Sequence, residues 1–294
     1  IDGLHFTGDG AGGNPENSYL NGKTGIYVED ANDSFRVTGM GLIYLEHGLT
    51  ICRADALTIH DNFVAECGNG IELRGWGQAS KVTDNLIGAG PRGHSLYAEN
   101  HGGLLITANN VFPRGASSIH LQGVTRSNIS NNRLHSFYPG MVRLEGDSSE
   151  NLVATNHFLR DHEPWTPFIG VDNGLDDTYG LLRIAGSNNT VVGNHFSAVI
   201  DSTTRSSGAT PVIIRMTAGN SNYVATNHAV GLDLSATTSD SCFEAQVGAL
   251  LETGAARKMN VTAVMVDNAA VGNTVLDSGT DAETVMDRTA NVFR

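Results

Sequence analysis

The chain is patterned as a succession of short runs in which apolar and polar positions alternate, each closed by a small or polar corner. One run reads GLTIC from Gly48, and counterparts read GIELR from Gly70, SLYAE from Ser95, SIHLQ from Ser118, MVRLE from Met141 and LLRIA from Leu181. Alternation with period two turns one side of each run inward and the other outward. Between these runs a second phrase recurs: an apolar residue, two small or polar residues, then Asn. It ends at Asn62, Asn85, Asn109, Asn132, Asn156, Asn194 and Asn227, with a weaker copy at Asn273. The first five are spaced 23, 24, 23 and 24 residues apart, and the later gaps are 38, 33 and 46.

A regular period of this length marks a solenoid, because one coil cannot bury its apolar side alone and stacked coils can. The pattern predicts an all-β, right-handed parallel β-helix with coils of about 22–24 residues and an Asn ladder at one corner. In such a ladder each buried amide donates to the carbonyl oxygen of the next, which removes the cost of burying it. The ladder Asn residues are therefore read as architecture. His157, His195 and His228 each follow a ladder Asn and are read as corner residues rather than as a metal site. Residues 1–294 form a single β-helix domain whose first residues already read as repeat, so further coils are expected upstream. Three excursions interrupt the period, at 159–180, 198–211 and 236–262. In the last, Phe243, Val247, Leu250 and Leu251 fall on one face of a helix, predicting a lid or a cap.

The phase of the first run sets its outward column as Thr50, Glu72, Tyr97, His120, Arg143 and Arg183. An ordinary solvated sheet face carries Thr, Ser and Lys. Acid, phenol, imidazole and guanidinium groups in one line suit a polar ligand or a subunit interface. Arg74 and Trp76 follow directly after Glu72, and an exposed Trp there is a stacking platform for a sugar ring; the plainer reading packs it under a corner.

Composition narrows the field. There are 31 acidic against 18 basic residues and a formal net charge of −13, which argues against nucleic acid. No apolar run approaches a membrane span of about 20 residues. Cys52, Cys67 and Cys242 lack disulfide or zinc spacing and are read as three buried thiols.

Certain phrases are more specific than the repeat: NSYLNGKTGIYV at 17–28, DSFRVTGMGLIYLEHGL at 33–49, ADALTIHDNFVAECGNGIEL at 54–73, FYPGMVRL at 137–144 and PFIGVDNGLDDTYG at 167–180. They resemble the inulin fructotransferase and difructose anhydride III hydrolase family. That resemblance implies a homotrimer with active sites between subunits, no cofactor and no metal. It also implies a catalytic Asp and Glu eleven positions apart, which matches Asp55 and Glu66; Asp61 and Glu72 form a rival pair with the same spacing. Glu72, Arg74, Trp76, Tyr97, His120 and Arg143 are the expected substrate-binding residues.

The chemistry at a ketose anomeric carbon asks for one group to protonate the leaving oxygen. A second must accept a proton from the attacking hydroxyl or stabilise the oxocarbenium-like transition state. Water as the attacker makes a hydrolase that opens difructose anhydride III to inulobiose. A substrate hydroxyl makes an inulin fructotransferase. The first is the expected activity; the second, a non-catalytic structural β-helix, and a calcium-dependent pectate lyase using Asp176 and Asp177 are the alternatives. A hydrolase would be cytoplasmic and a fructotransferase secreted.

Overall fold

The computed structural model describes residues 1–8, 20–30, 32–89, 93–112, 115–161, 175–200, 209–234, 257–276 and 283–294. Among these, the strands form three ten-stranded sheets, and successive coils visit them in turn. One face collects the runs identified above, including His47–Cys52, Asn69–Arg74, His94–Glu99, Ser117–Gln122 and Val142–Glu145. A second face collects short strands such as Thr58–His60 and Lys81–Thr83. The third holds Phe63–Cys67, Leu86–Ala89, His157–Arg160 and His195–Ile200. Within the three sheets every pairing but one is parallel; Arg257–Lys258 runs antiparallel to Leu232–Asp233. No described helix is long and apolar enough to cross a membrane.

The core is a set of inward columns one residue wide. Leu49, Ile71, Leu96, Ile119 and Val142 stack in register on the first face, and Ile59, Val82, Ile106, Ile129 and Val153 on the second. On the third face Phe158 and Phe196 are fully buried and stacked, with ring centroids 4.3 Å apart.

The Asn ladder runs unbroken from Asn62 through Asn85, Asn109, Asn132, Asn156 and Asn194 to Asn227. Each amide donates to the next Asn Oδ1 at 2.9–3.0 Å. The residue before each ladder Asn takes a left-handed backbone, as at Asp61 (φ 54), Asp84 (φ 57), Ala108 (φ 57) and Thr155 (φ 54). Short polar residues tolerate that conformation best, which explains the Asp before Asn in two of the copies.

Asn273 does not extend this ladder. It belongs to a second one at the neighbouring corner, which starts from Ser127 and runs through Asn151, Asn189, Asn222 and Asn273 to Asn291. The gap of 46 residues was thus measured between different corners. The thiols also differ from expectation: Cys67 is buried, but Cys52 ends its strand half-exposed. Cys242 and most of the 236–262 excursion lie outside the described residues.

Close stacking leaves some corners no room for a side chain. A Cβ on Gly186 would stand 1.7 Å from the Ser148 carbonyl oxygen of the preceding coil. Because the obstacle is backbone, Gly186→Ala should lower the unfolding free energy by more than about 2 kcal/mol. A denaturation midpoint equal to that of the parent would contradict this packing.

Candidate functional site

The predicted column is present on the outer side of the first face. Thr50, Glu72, Tyr97, His120, Arg143, Arg183 and Arg215 pair in register, coil over coil. A flanking outward column carries Arg74, Glu99, Gln122 and Glu145, two positions further along each strand. On the other flank stand His47, Asn69, His94 and Ser117.

Glu72 is the first node. Its carboxylate receives hydrogen bonds from His47 Nδ1 at 2.5 Å, Thr50 Oγ1 at 3.0 Å and Arg74 Nη2 at 2.5 Å. The Glu72 side chain is 1% exposed, whereas its cover, His47 and Arg74, is 34% and 42% exposed. Burial alone would raise its pKa. The hydrogen bonds and charges of Arg74 and His47 outweigh burial and hold the carboxyl below its ordinary value. The Arg74 guanidinium also lies over the Tyr97 ring, 4.6 Å from its centre. Tyr97 in turn donates to Glu99 at 2.7 Å.

Glu145 is the second node, three coils away. It meets His120 Nε2 at 3.0 Å and accepts from the Tyr179 hydroxyl at 2.8 Å. The His120 hydrogen bond, helped by Tyr179 and by the charges of His120 and Arg143, overcomes burial and pulls its pKa down to about 2. Tyr179 ends the short turn Asp177–Tyr179, and its ring lies under Arg183, 4.1 Å from the guanidinium carbon.

His94 stands between the nodes, 2.7 Å from Ser117 Oγ. Burial, followed by the nearby charges of His120 and Arg143, pushes its pKa down to about 3. The unfolded chain binds a proton on this residue below about pH 6.5 and the folded chain does not. Its contribution to stability is present above that pH and is lost as the pH falls from 6.5 towards 3. The melting temperature should therefore fall between pH 7 and pH 4, and His94→Gln should flatten that slope. A slope identical in both proteins would assign the acid sensitivity to other groups.

The expected catalytic pair stands at the two ends of the first face, as the repeat phase implies. Asp55 lies past the end of the His47–Cys52 strand, where its carboxylate accepts from Gln78 N at 2.9 Å and Gln78 Nε2 at 3.0 Å. Glu66 takes a left-handed backbone (φ 51) just before the Asn69–Arg74 strand begins. A full strand of the first face separates them, more than about 15 Å, so within one chain they do not meet over one bond. Asp61 is an exposed corner residue of the ladder side. Trp76 is 55% exposed beyond Arg74, as a stacking platform requires. Asp176 caps the turn that Tyr179 ends and accepts from Thr178 N and Oγ1, while Asp177 pairs with Arg160 at 2.5 Å. Both carboxylates are thus engaged within the protein.

His47, His94, Glu99, Glu145 and Tyr179 were not among the predicted site residues. The same alternation could have found Glu99 and Glu145, two positions beyond the central column, but not His47 and His94, which stand three positions before it, where the alternation is interrupted by two successive buried residues. Tyr179 reaches the face from an excursion, and no phase argument predicts that.

Fold and face together define the class: a parallel β-helix with an aromatic and charged outer face. Comparison with known proteins gives the particular family. A model of the β-helix repeat of inulin fructotransferase matches residues 155–294. A model of the periplasmic copper-binding protein NosD matches residues 7–166. The described residues of that stretch are β-helix coils, and among the described residues no group of three or more His, Cys, Asp or Glu is placed to hold a metal. A DFA-I-forming inulin fructotransferase of Arthrobacter globiformis is 45% identical over 234 residues, 78% of this chain and 58% of that protein. The crystal structure of DFA-IIIase from Arthrobacter chlorophenolicus in complex with DFA-III is 71% identical over 100% of this chain and 66% of its own, with a TM-score of 0.89. The structure of the same enzyme without its lid aligns at 65% identity over 100% of this chain and 65% of its own, with a TM-score of 0.83. The chain belongs to the inulin fructotransferase and difructose anhydride III hydrolase family, and it spans about 58–66% of the length of these relatives.

Proposed function

We propose that this chain carries the site of a difructose anhydride III hydrolase, which adds water across one anomeric C–O bond of the cyclic sugar to give inulobiose. The carrying observation is the match along the whole chain to a hydrolase solved with that sugar, together with the ionised, buried Glu72 on the outer face. Glu72 serves as the carboxylate that takes the proton of the attacking water or stabilises the oxocarbenium-like transition state. Arg74 and His47 shield it until substrate moves them aside. Tyr97, Arg143 and the exposed Trp76 line the sugar's path. Asp55 and Glu66 act on the same bond only if a neighbouring subunit brings one towards the other, which fits a homotrimer with sites at its interfaces. The solved hydrolase has a lid; the 236–262 excursion, expected to be a lid or a cap, lies mostly outside the described residues.

A second reading, release of difructose anhydride from inulin, is favoured by the 45% identity to a fructotransferase. Product analysis separates the two. With purified difructose anhydride III and inulin offered separately, the hydrolase produces inulobiose from the first. Rapid release of an anhydride from inulin, with none hydrolysed, replaces it by the fructotransferase. No turnover of either sugar would favour a structural β-helix.

A further inference from the structure

The third face carries a column of histidines that plays no part in the contacts around Glu72. His157, His195 and His228 pair in register on successive coils, and all three are exposed. Each follows a member of the first ladder, Asn156, Asn194 and Asn227, whose amides are linked coil to coil. Their own backbone N–H groups donate to the carbonyl oxygens of Asn132, Asn156 and Asn194 at 2.9 Å. The ladder corner therefore sets where the three rings start, and no excursion is involved.

The rings step along the column, with centroids 5.1 Å apart from His157 to His195 and 5.0 Å apart from His195 to His228. No single ion can meet all three. The two steps also differ. His157 meets His195 edge to face, with the ring planes 68° apart. His195 and His228 are tilted by only 35°, and their Nδ1 atoms face each other at 3.0 Å. In the neutral pair one Nδ1–H donates to the other Nδ1.

That separation is also a chelate bite. An imidazole nitrogen binds a late transition ion at about 2.0–2.1 Å. Two such bonds to atoms 3.0 Å apart enclose an angle of about 90–95°. A tetrahedral ion would hold its ligand atoms about 3.3–3.4 Å apart. A near-right angle suits the square-planar or tetragonal geometry of Cu²⁺ and Ni²⁺. Ligation also needs neutral rings. Burial, followed by the charges of His157 and His228, keeps the pKa of His195 below its ordinary value. Arg133, the cation of this column, stands two coils from His195. The net charge of −13 favours cations near the surface.

We infer that His195 and His228 form a two-histidine chelate for a divalent late transition ion, Cu²⁺ or Ni²⁺, clipping two neighbouring coils together. Water fills the remaining coordination positions. The ring that donates in the metal-free pair moves its hydrogen to Nε2, which changes a tautomer and releases no proton. The chelate stands on a different sheet from Glu72 and is independent of the sugar chemistry.

Ni²⁺ is the suitable probe, because copper would also engage the half-exposed Cys52 thiol. Titration calorimetry of the untagged full chain should show one Ni²⁺ bound at this site. His195→Gln and His228→Gln should each weaken it by about tenfold or more, since a single imidazole loses the chelate. His157→Gln and His94→Gln should bind as the parent does; the second checks for an ion held between His94 and His120, whose nitrogens lie 3.4 Å apart on the first face. Saturating Ni²⁺ should raise the melting temperature of the parent and of His157→Gln, and should leave that of the two chelate variants unmoved, because an ion held by the folded chain stabilises it. Both chelate residues are exposed, so their variants should keep the parent's metal-free melting temperature; if one does not, the other decides. An affinity that neither chelate substitution changes overturns the assignment and leaves adventitious surface binding only. Loss of binding in His94→Gln in place of the chelate variants overturns it too and moves the ion to the first face.

Discussion

Glu72→Gln should lower kcat on difructose anhydride III by about 10²–10⁴-fold while the protein keeps its fold. The substitution preserves shape and removes the charge. The amide oxygen can still accept from Arg74, and the NH2 that replaces the other oxygen can donate to Thr50 Oγ1. What disappears is the anion that takes a proton or faces the positive charge growing at the anomeric carbon. Arg74 also loses its counter-charge, so a modest fall in melting temperature should accompany the loss of turnover. Asp55→Asn, Glu66→Gln and Asp61→Asn are the informative comparisons. If Glu72→Gln retains turnover while Asp55→Asn and Glu66→Gln abolish it, the chemistry lies at the pair that the family resemblance implies. Both residues must then act across a subunit boundary, and sedimentation should show three chains per particle.

The difference between legible and hidden parts of this site has a physical origin. Glu72, Tyr97, His120 and Arg143 were legible because alternation fixes which side of a strand a residue occupies, and a constant coil length fixes what lies above it. Glu145 obeys the same rule but stands at a strand end, where one column gives little reason to look; His94 stands three positions before Tyr97, where Ser95 and Leu96 are both buried and the alternation breaks. Tyr179 and its hold on Glu145 come from an excursion, whose path depends on tertiary packing. Asp55 and Glu66 are named as a pair by the family resemblance, and the repeat phase already puts one just after a first-face strand and the other just before the next, where the structure has them. Whether they act together depends on how subunits pack, which no pattern along one chain records.

The corners show the same contrast. The first ladder was visible because the phrase before each Asn repeats at a nearly constant interval. The second was not. Its early positions hold Leu57, Ser80, Leu104 and Ser127 in place of Asn, and the Ser hydroxyls accept from the coil before at Leu57 N and Leu104 N. Only from Asn151 onwards does that corner become an amide ladder, and there the excursions have already broken the period. A hydroxyl and an amide fill one structural role, so a search for one residue type finds half of the corner.

The first ladder should be where the fold is most sensitive to a single polar change. Asn109 donates to Val82 O at 2.9 Å and to Asn132 Oδ1 at 3.0 Å, and it accepts from Asn85 N and Asn85 Nδ2 at 3.1 and 3.0 Å. Asn109→Ala strands those partners inside a dry corner. Each buried group left without a partner costs about 1–3 kcal/mol. The costs overlap as the corner relaxes, so a loss of roughly 3–5 kcal/mol is expected, similar to that for truncating a large core side chain. The adjacent Asn110 is the control: its side chain is exposed and meets only Arg133 Nη1 at 3.2 Å. Asn110→Ala should change stability by less than about 0.5 kcal/mol. A solenoid holds together through contacts between neighbouring coils. A break in mid-ladder therefore weakens the coupling between the coils on either side. Denaturation of Asn109→Ala should show a shallower or two-step transition as well as an earlier one. Equal midpoints for the Asn109 and Asn110 variants would mean that the amide ladder contributes nothing the apolar columns do not already supply.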